Sequence, residues 1–310
     1  ASFVGSQACA TCHPDAFQAW SGSHHERALD HATAETVLGD FSDAAFSDPS
    51  IEVQFKRDDD GFHVRTRAAD GEFRDFRVAY VMGFDPLQQY LIALPNGRLQ
   101  ALTVAWDTER ERWFALENEA APPGDWLHWT GGAFNANSMC IPCHATQVDI
   151  GYDADRRAYE TTWSEIDVGC EACHGAGSLH VTWAKMLETG NPLATSPNQG
   201  LLVSLTPAAP TDRDRAAQQR EIDVCARCHS RRRSVHPGDR IDLPFHDAYL
   251  PELLHPDLYY PDGQILGEVY VHGSFLQSRM AAEGVRCSHC HDPHSGELRA
   301  EGNALCTQCH

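Results

Sequence analysis

The sequence predicts a chain that is mostly irregular and α-helical, organised around six anchoring sites, with one antiparallel β module inserted near its front. Three observations carry that expectation. All twelve cysteines of the 310 residues fall in six Cys-x-x-Cys-His units. The long stretch 51–116 has no cysteine and instead carries turn dipeptides between alternating apolar residues. Histidine is in surplus, with eighteen residues of which six follow the cysteine pairs.

The six units are Cys9/Cys12/His13, Cys140/Cys143/His144, Cys170/Cys173/His174, Cys225/Cys228/His229, Cys287/Cys290/His291 and Cys306/Cys309/His310. The spacing has a chemical reason. Two thiols two residues apart add to the two vinyl groups of one haem, and the next histidine places its imidazole under the iron. A disulfide framework gives no reason for a histidine after every pair. A structural zinc site does not ask for six of them, and thioredoxin-like pairs need a βαβ setting. The expected cofactor is therefore six haem c groups, and the fold class is a multihaem cytochrome c, mostly irregular and α around stacked haems. Haem c is attached outside the cytoplasm, so a periplasmic or extracellular protein is expected. The sequence starts at Ala1 without a basic or apolar leader, which fits an exported chain whose signal peptide has been removed.

Composition narrows the partners. The formal charge of −20 argues against nucleic acid and anionic lipid, which both demand a basic face. Only Lys56 and Lys185 are lysines, so the positive charge is almost wholly arginine. An acidic electron carrier is steered towards basic redox partner proteins. With a mean hydropathy of −0.42 and no long apolar run, no transmembrane segment is expected.

Along the chain, residues 1–47 read as an N-terminal haem 1 segment, with helical spacing from about Pro14 to Leu29 that sets Phe17 and Trp20 on one side. Residues 48–118 read as the antiparallel β insert. Asp60-Gly61, Asp70-Gly71 and Asn96-Gly97 are hairpin-turn dipeptides, separating predicted strands at Phe62–Ala68, Phe73–Val81 and Leu99–Trp106. His63, among arginines on the face opposite Phe62 and Val64, is expected to be solvated. Residues 119–310 read as the haem domain carrying haems 2–6. A Pro-, Gly- and Ala-rich linker is expected from about Gly190 to Pro210, followed by a charged helix leading into Cys225. With about one haem per fifty residues, the haems replace much of the usual apolar core, so regular structure outside the insert should be sparse.

The sixth position of each iron decides between a relay and an open catalytic site. Twelve histidines remain for six places. One of His24 and His25 is expected to point inward after the first haem helix. His128 precedes the second motif in L-H-W-T. His180 follows the third in C-H-G-A-G-S-L-H, where glycines permit a tight turn. His294 stands in C-H-D-P-H, with a proline forcing a bend. His272, in V-Y-V-H-G-S-F, suits a haem pocket and a core histidine equally, and His246 and His255 come next. His289 inside the fifth motif reads as incidental, and His31 and His236 as surface residues. Met139 is expected to serve core packing rather than ligation. The predicted distal set is His25, His128, His180, His294, His272 and His246.

The stretches around the motifs resemble a known family. V-G-S-Q-A-C-A-T-C-H with W-S-G-S-H-H-E-R-A-L, P-L-Q-Q-Y-L-I-A-L-P-N-G-R-L-Q-A-L, L-H-W-T-G-G-A-F-N-A-N-S-M-C-I-P-C-H, W-S-E-I-D-V-G-C-E-A-C-H-G-A-G-S-L-H-V, and G-S-F-L-Q-S-R-M with C-S-H-C-H-D-P-H-S carry the likeness. They look like the bacterial multihaem cytochromes often fused to tetratricopeptide repeats, distantly similar to the hydroxylamine-oxidoreductase and tetrahaem-cytochrome lineage. The resemblance implies that His25, in S-x-H-x-x-A, and His180, in C-H-G-x-G-S-x-H, are distal ligands, and it favours His128 and His294. Members commonly continue with further haem motifs and helical repeats beyond C-T-Q-C-H. They usually carry tyrosine where His272 stands, so a His272 ligand is not something the family supplies.

Electron transfer through mostly bis-histidine haems is the expected function, with no catalytic residue assigned and enzyme activity not expected. A reductase or oxidase of a small nitrogen or sulfur compound is the alternative and would need one open haem. No Cys-x-x-Cys-Lys variant, which some nitrite reductases use, occurs here. A third reading has subunits self-associating into a haem-continuous conducting filament.

Overall fold

The computed structural model describes all residues except 50, 117–120, 191–196, 206–208, 210–212, 237, 239–240, 253 and 268–269. Much of the predicted 190–210 linker therefore lies outside the described residues. The chain divides into two compact units. One comprises Ala1–Ser23 and Gly169–His310, and the other His24–Val168. This division is cut differently from the three sequence segments, because the second haem motif goes with the β module and the first goes with motifs three to six.

The second unit is built on antiparallel strands: β1 (Leu29–His31), β2 (Ser42–Ser47), β3 (Glu52–Asp58), β4 (Gly61–Arg67), β5 (Phe73–Met82), β6 (Leu87–Leu94), β7 (Arg98–Ala101), β8 (Val104–Asp107) and β9 (Arg112–Ala115). Their order is β2-β3-β4-β5-β6-β8-β9, with β1 added to β5 and β7 to β6. Alternation is what makes these strands. Val53 and Phe55 on β3, and Phe62 and Val64 on β4, point one way, with Phe55 opposite Val64. They bury against Val78, Tyr90, Ile92, Leu102, Val104 and Trp106.

The sheet curls until its ends meet. Trp113 on the last strand stacks face to face on Phe55 near the other end, with ring centroids 3.5 Å apart and planes at 5°. Phe41 meets both rings edge-on. A second cluster on this unit, Leu29, Met82, Leu91, Leu99, Ala101, Ala136, Ile141, Ala145 and Val148, seats the second haem motif against the sheet.

The predicted turns stand where expected, with Gly61, Gly71, Asn96 and Gly97 all at positive φ. Two expectations change. The single strand predicted over 99–106 is two, because three steps along β6, from Gln88 to Leu91, face five along the other chain, from Ala101 to Trp106. The helix predicted over 14–29 stops at Trp20. Gly22 then takes φ +81°, and Leu29 is pulled into β1 by pairing with Met82. His63 is half-buried, with its Nε2 3.2 Å from Asp58 Oδ1, rather than solvated.

Among the described residues, the first unit has a small apolar cluster of its own. Its cluster is Ala226, Phe245, Ala248 and Tyr249, yet it carries five of the six motifs. Its helices are short apart from Ser178–Glu188 and Arg215–His229. The latter starts where the Asp214 side chain accepts the Ala216 and Ala217 N–H groups, an N-cap before a run of strong helix formers.

Gly97 offers a test of the hairpin. A Cβ built there would sit 2.0 Å from the Tyr159 carbonyl oxygen, and its φ is +70°. Gly97→Ala should cost more than about 1 kcal/mol, read as a lower unfolding midpoint together with faster amide exchange in β6 and β7.

Candidate haem sites

Each motif is local. In the first, fifth and sixth, the carbonyl of the leading cysteine accepts the N–H of the histidine four residues on: Cys9 from His13 at 2.9 Å, Cys287 from His291 at 2.9 Å, Cys306 from His310 at 3.1 Å. One helical turn thus gathers two sulfurs and an imidazole on one side. The second motif shares with these the bond from the second cysteine's N–H to the first cysteine's carbonyl. Cys143, within the short helix Ile141–His144, donates its N–H to the Cys140 carbonyl at 3.0 Å. In the fourth, Cys225, Cys228 and His229 form the end of the helix Arg215–His229, so that motif closes a long helix rather than making its own turn.

No disulfide joins any of the twelve cysteines. The sequence assigns Cys143 and Cys228 to thioether bonds like the rest, yet their settings differ from those of the outer motifs. Both side chains are half-buried, whereas Cys12, Cys306 and Cys309 are exposed. The reason is position: Cys143 follows the buried Ile141 against the sheet, and Cys228 follows the buried Ala226 and Arg227 on its helix. Burial pushes the Cys140 thiol up to about 12. Among the described residues no group of three or more His, Cys, Asp or Glu is arranged to hold a metal ion. The donors fit thioether attachment.

Two of the motif imidazoles are oriented as iron ligands need. His144 Nδ1 meets the Ala28 carbonyl at 2.8 Å and His291 Nδ1 meets the Gly296 carbonyl at 3.3 Å. A proton on Nδ1 leaves the Nε2 lone pair for a metal. Burial, first of all, holds His144 and His174 below the ordinary imidazole range, which keeps them neutral.

Of the predicted distal histidines, His180 has the most telling surroundings. Its Nδ1 faces the Gln199 carbonyl at 2.9 Å. Its ring lies 6.0 Å from that of His13, with planes at 24°. Metal–imidazole bonds of about 2.0–2.1 Å put two axial rings on one ion roughly 6 Å apart between centroids. His294 is turned towards Asp292, with Nδ1 3.9 Å from Oδ1, and it is the charged group with the largest effect on His174, ahead of His13 and His180.

His272 is buried and lowered by desolvation first and by His246 second. Phe245 touches the rings of both, at 5.3 and 5.1 Å. His128 is buried in the second unit with Nδ1 2.7 Å from Thr130 Oγ1, and it lines a cavity of about 300 Å³ with Asp48, Glu52, Arg67 and Trp129. His25 is half-buried in the same unit, its carbonyl accepting the Val168 N–H at 3.1 Å. Its neighbour His24 stacks on Phe84.

Three other residues are placed differently from ligands. His289 accepts the Arg286 N–H on Nδ1 and donates from Nε2 to the Ala209 carbonyl, which occupies both ring nitrogens. His255 faces the carboxylates of Glu252 and Asp257. Met139 is 61% exposed, so it does not serve the protein core as expected. It sits at the last position of a four-residue helix whose buried residues are Ala136 and Asn137.

Several cysteines of the first unit act on one another across motifs. Cys225 shares a hydrogen bond with Cys287 and is influenced by Cys173. Cys290 is influenced by Cys306 and Cys309. The sequence reading missed a group that ties two of these motifs together. Glu221, four residues before Cys225, accepts the Ser288 N–H at 2.6 Å and the Ser288 hydroxyl at 2.7 Å, inside the fifth motif. Arg286, 1% exposed at its side chain, lies 3.9 Å away.

Residues 8–67 and 126–175 match the family model described as cytochrome c554 and c-prime, and residues 279–310 match that described as a doubled CXXCH motif. The chain is a multihaem c-type cytochrome. Covalently bound haem c is its cofactor and electron transfer its business. The cytochrome's fold is similar to that of the outer cell wall cytochrome OcwA, with a TM-score of 0.60 and 20% identity over 99% of this chain and 67% of that one. An undecahaem cytochrome from the S-layer of Carboxydothermus ferrireducens gives a TM-score of 0.48 at 16% identity, over 100% of this chain and 43% of that one. No curated protein matches the sequence. Among the described residues, no helix of the cytochrome is long and apolar enough to cross a membrane.

The Glu221 contacts predict a large penalty for Glu221→Ala. It strands the buried Arg286 and two Ser288 donors, and should cost about 3–5 kcal/mol, measured as a lower midpoint of thermal unfolding for the first unit.

Proposed function

We propose that the chain carries six haems c and serves as an electron relay outside the cytoplasm, with its irons held mostly between two histidines. The haem irons supply the electron-carrying chemistry; the protein supplies their attachment, axial ligands and spacing. The observation that carries this reading is the His13–His180 pair, whose rings stand at the separation that two axial ligands of one iron require. We assign His180 to the first motif on that ground. His294 is proposed as a distal ligand near His174, whose imidazole it lowers electrostatically. His272 and His246 meet around Phe245 and are the proposed source of a further distal ligand. His25 and His128 are proposed for the second unit's share.

The cysteine contacts support an order within the first unit. His294, His13 and His180 act electrostatically on His174, Cys173 acts on Cys225, Cys225 hydrogen-bonds Cys287, and Cys306 and Cys309 act on Cys290. We take one–three–four–five–six as the order of the relay. A location at the cell exterior agrees with the words "outer cell wall" in the name of the similar cytochrome. Redox partner proteins with basic faces suit a chain of charge −20.

Intact mass and pyridine haemochrome absorbance should give six haems per chain, and electron paramagnetic resonance of the oxidised protein should show low-spin irons only. Fewer than six haems, or a high-spin iron in the unmodified protein, would overturn the reading. His180→Ala should turn one iron high-spin and leave haem attachment unchanged.

A further inference from the structure

The buried carboxylate of Glu171 lies inside the third motif, between Cys170 and Cys173, and is 2% exposed. Its oxygens accept three backbone N–H groups from two segments, the distant residues 4–5 and the nearby Gly177. Val4 donates to both oxygens, at 3.0 and 2.9 Å, and Gly5 to Oε2 at 2.8 Å. Gly177 donates to Oε1 at 2.6 Å. Among the described residues no arginine, lysine or histidine pairs with it, so backbone donors alone compensate its burial.

The two segments lead to the two halves of one axial pair. Residues 4 and 5 run directly into the turn that carries Cys9, Cys12 and His13. Gly177 is the N-cap of the helix Ser178–Glu188, which carries His180 in its first turn. A carboxylate at that end also suits the helix dipole. The packing leaves no slack, since a Cβ at Gly177 would come within 3.2 Å of both Glu171 Oε1 and Val4 Cγ2. Ser6 Oγ accepts the Cys170 N–H at 2.9 Å, and Ser178 Oγ accepts the Ser2 N–H at 2.8 Å, which lays the same segment along the third motif.

We infer that Glu171 is a positioning residue for a haem other than the one its own motif attaches: it holds His13 and His180 in register across the first haem's iron. This rests on the assignment of His180 to the first motif. A glutamine at 171 keeps the volume, but its amide NH2 would face either Gly5 or Gly177, donor against donor. One of the two segments is then released. Alanine releases both. The first motif's thioether bonds do not depend on Glu171, so attachment should persist while the sixth ligand is lost.

The test compares Glu171→Ala, Glu171→Gln and His180→Ala in the full chain, reading haem load by mass and spin state by electron paramagnetic resonance. The expected result is six attached haems in each. About one high-spin iron per chain should appear in His180→Ala and Glu171→Ala and a smaller high-spin fraction in Glu171→Gln, with added imidazole restoring the low-spin signal in His180→Ala. If His180→Ala leaves every iron low-spin, the axial pairing itself is overturned. If His180→Ala yields the high-spin iron but both Glu171 variants stay low-spin, the pairing stands and the positioning role is overturned. A reduced haem load, or a spin change spread over several irons in Glu171→Gln, also overturns it, because either would make Glu171 a general structural residue.

Discussion

The whole structure depends on one short constraint: two thiols and an imidazole must meet a rigid ring from within a single turn of backbone. The hydrogen bond from the histidine N–H to the carbonyl of the leading cysteine makes that turn in motifs one, five and six. Once the turn is set, the remaining problem is no longer local. Each anchored ring is large, apolar and flat, and the chain between motifs has to cover it and supply whatever occupies the far side of the iron.

The two units meet this demand in different ways. The unit 24–168 holds one motif and keeps an ordinary protein core, an aromatic cluster closed by Trp113 on Phe55. The unit formed by 1–23 and 169–310 holds five motifs, and its apolar cluster among the described residues is four buried residues. It relies instead on buried polar clamps. Glu171 ties the start of the chain to the third motif, and Glu221 ties the fourth motif's helix to the fifth. Such groups are costly to bury unless fully hydrogen-bonded, and both are. In exchange they specify one arrangement, which hydrophobic contact alone does less sharply.

Much of the fold was legible before any coordinates. Hairpin dipeptides at Asp60-Gly61 and Asn96-Gly97 marked real turns, because a positive φ is a property of one or two residues. The strand over 99–106 was misread as continuous, since its break comes from pairing with β6 and leaves no mark in the local pattern. The helix after the first motif was overextended for the same reason: Leu29 keeps helical spacing with Phe17 and Trp20 but is claimed by a strand partner, Met82. Spacing likewise made the six motifs look alike, and it could not show that Cys143 and Cys228 are half-buried while Cys12 is exposed. Glu171 carried a faint signal, an acidic residue between two haem cysteines beside two glycines. Its importance shows only when Val4, Gly5 and Gly177 converge on it.

The sequence by itself determined where the Cys-x-x-Cys-His units stand, because each needs only spacing within one turn, and that spacing is written in consecutive residues. It also determined that histidine was plentiful enough to close every iron. Only the tertiary structure decided which distant residues come together, as the rings of His13 and His180 do. His180 and His13 are far apart in the chain and meet because a buried carboxylate draws their segments together. Contacts across a rigid ring are fixed by packing in three dimensions, and no periodicity along one strand of residues encodes them.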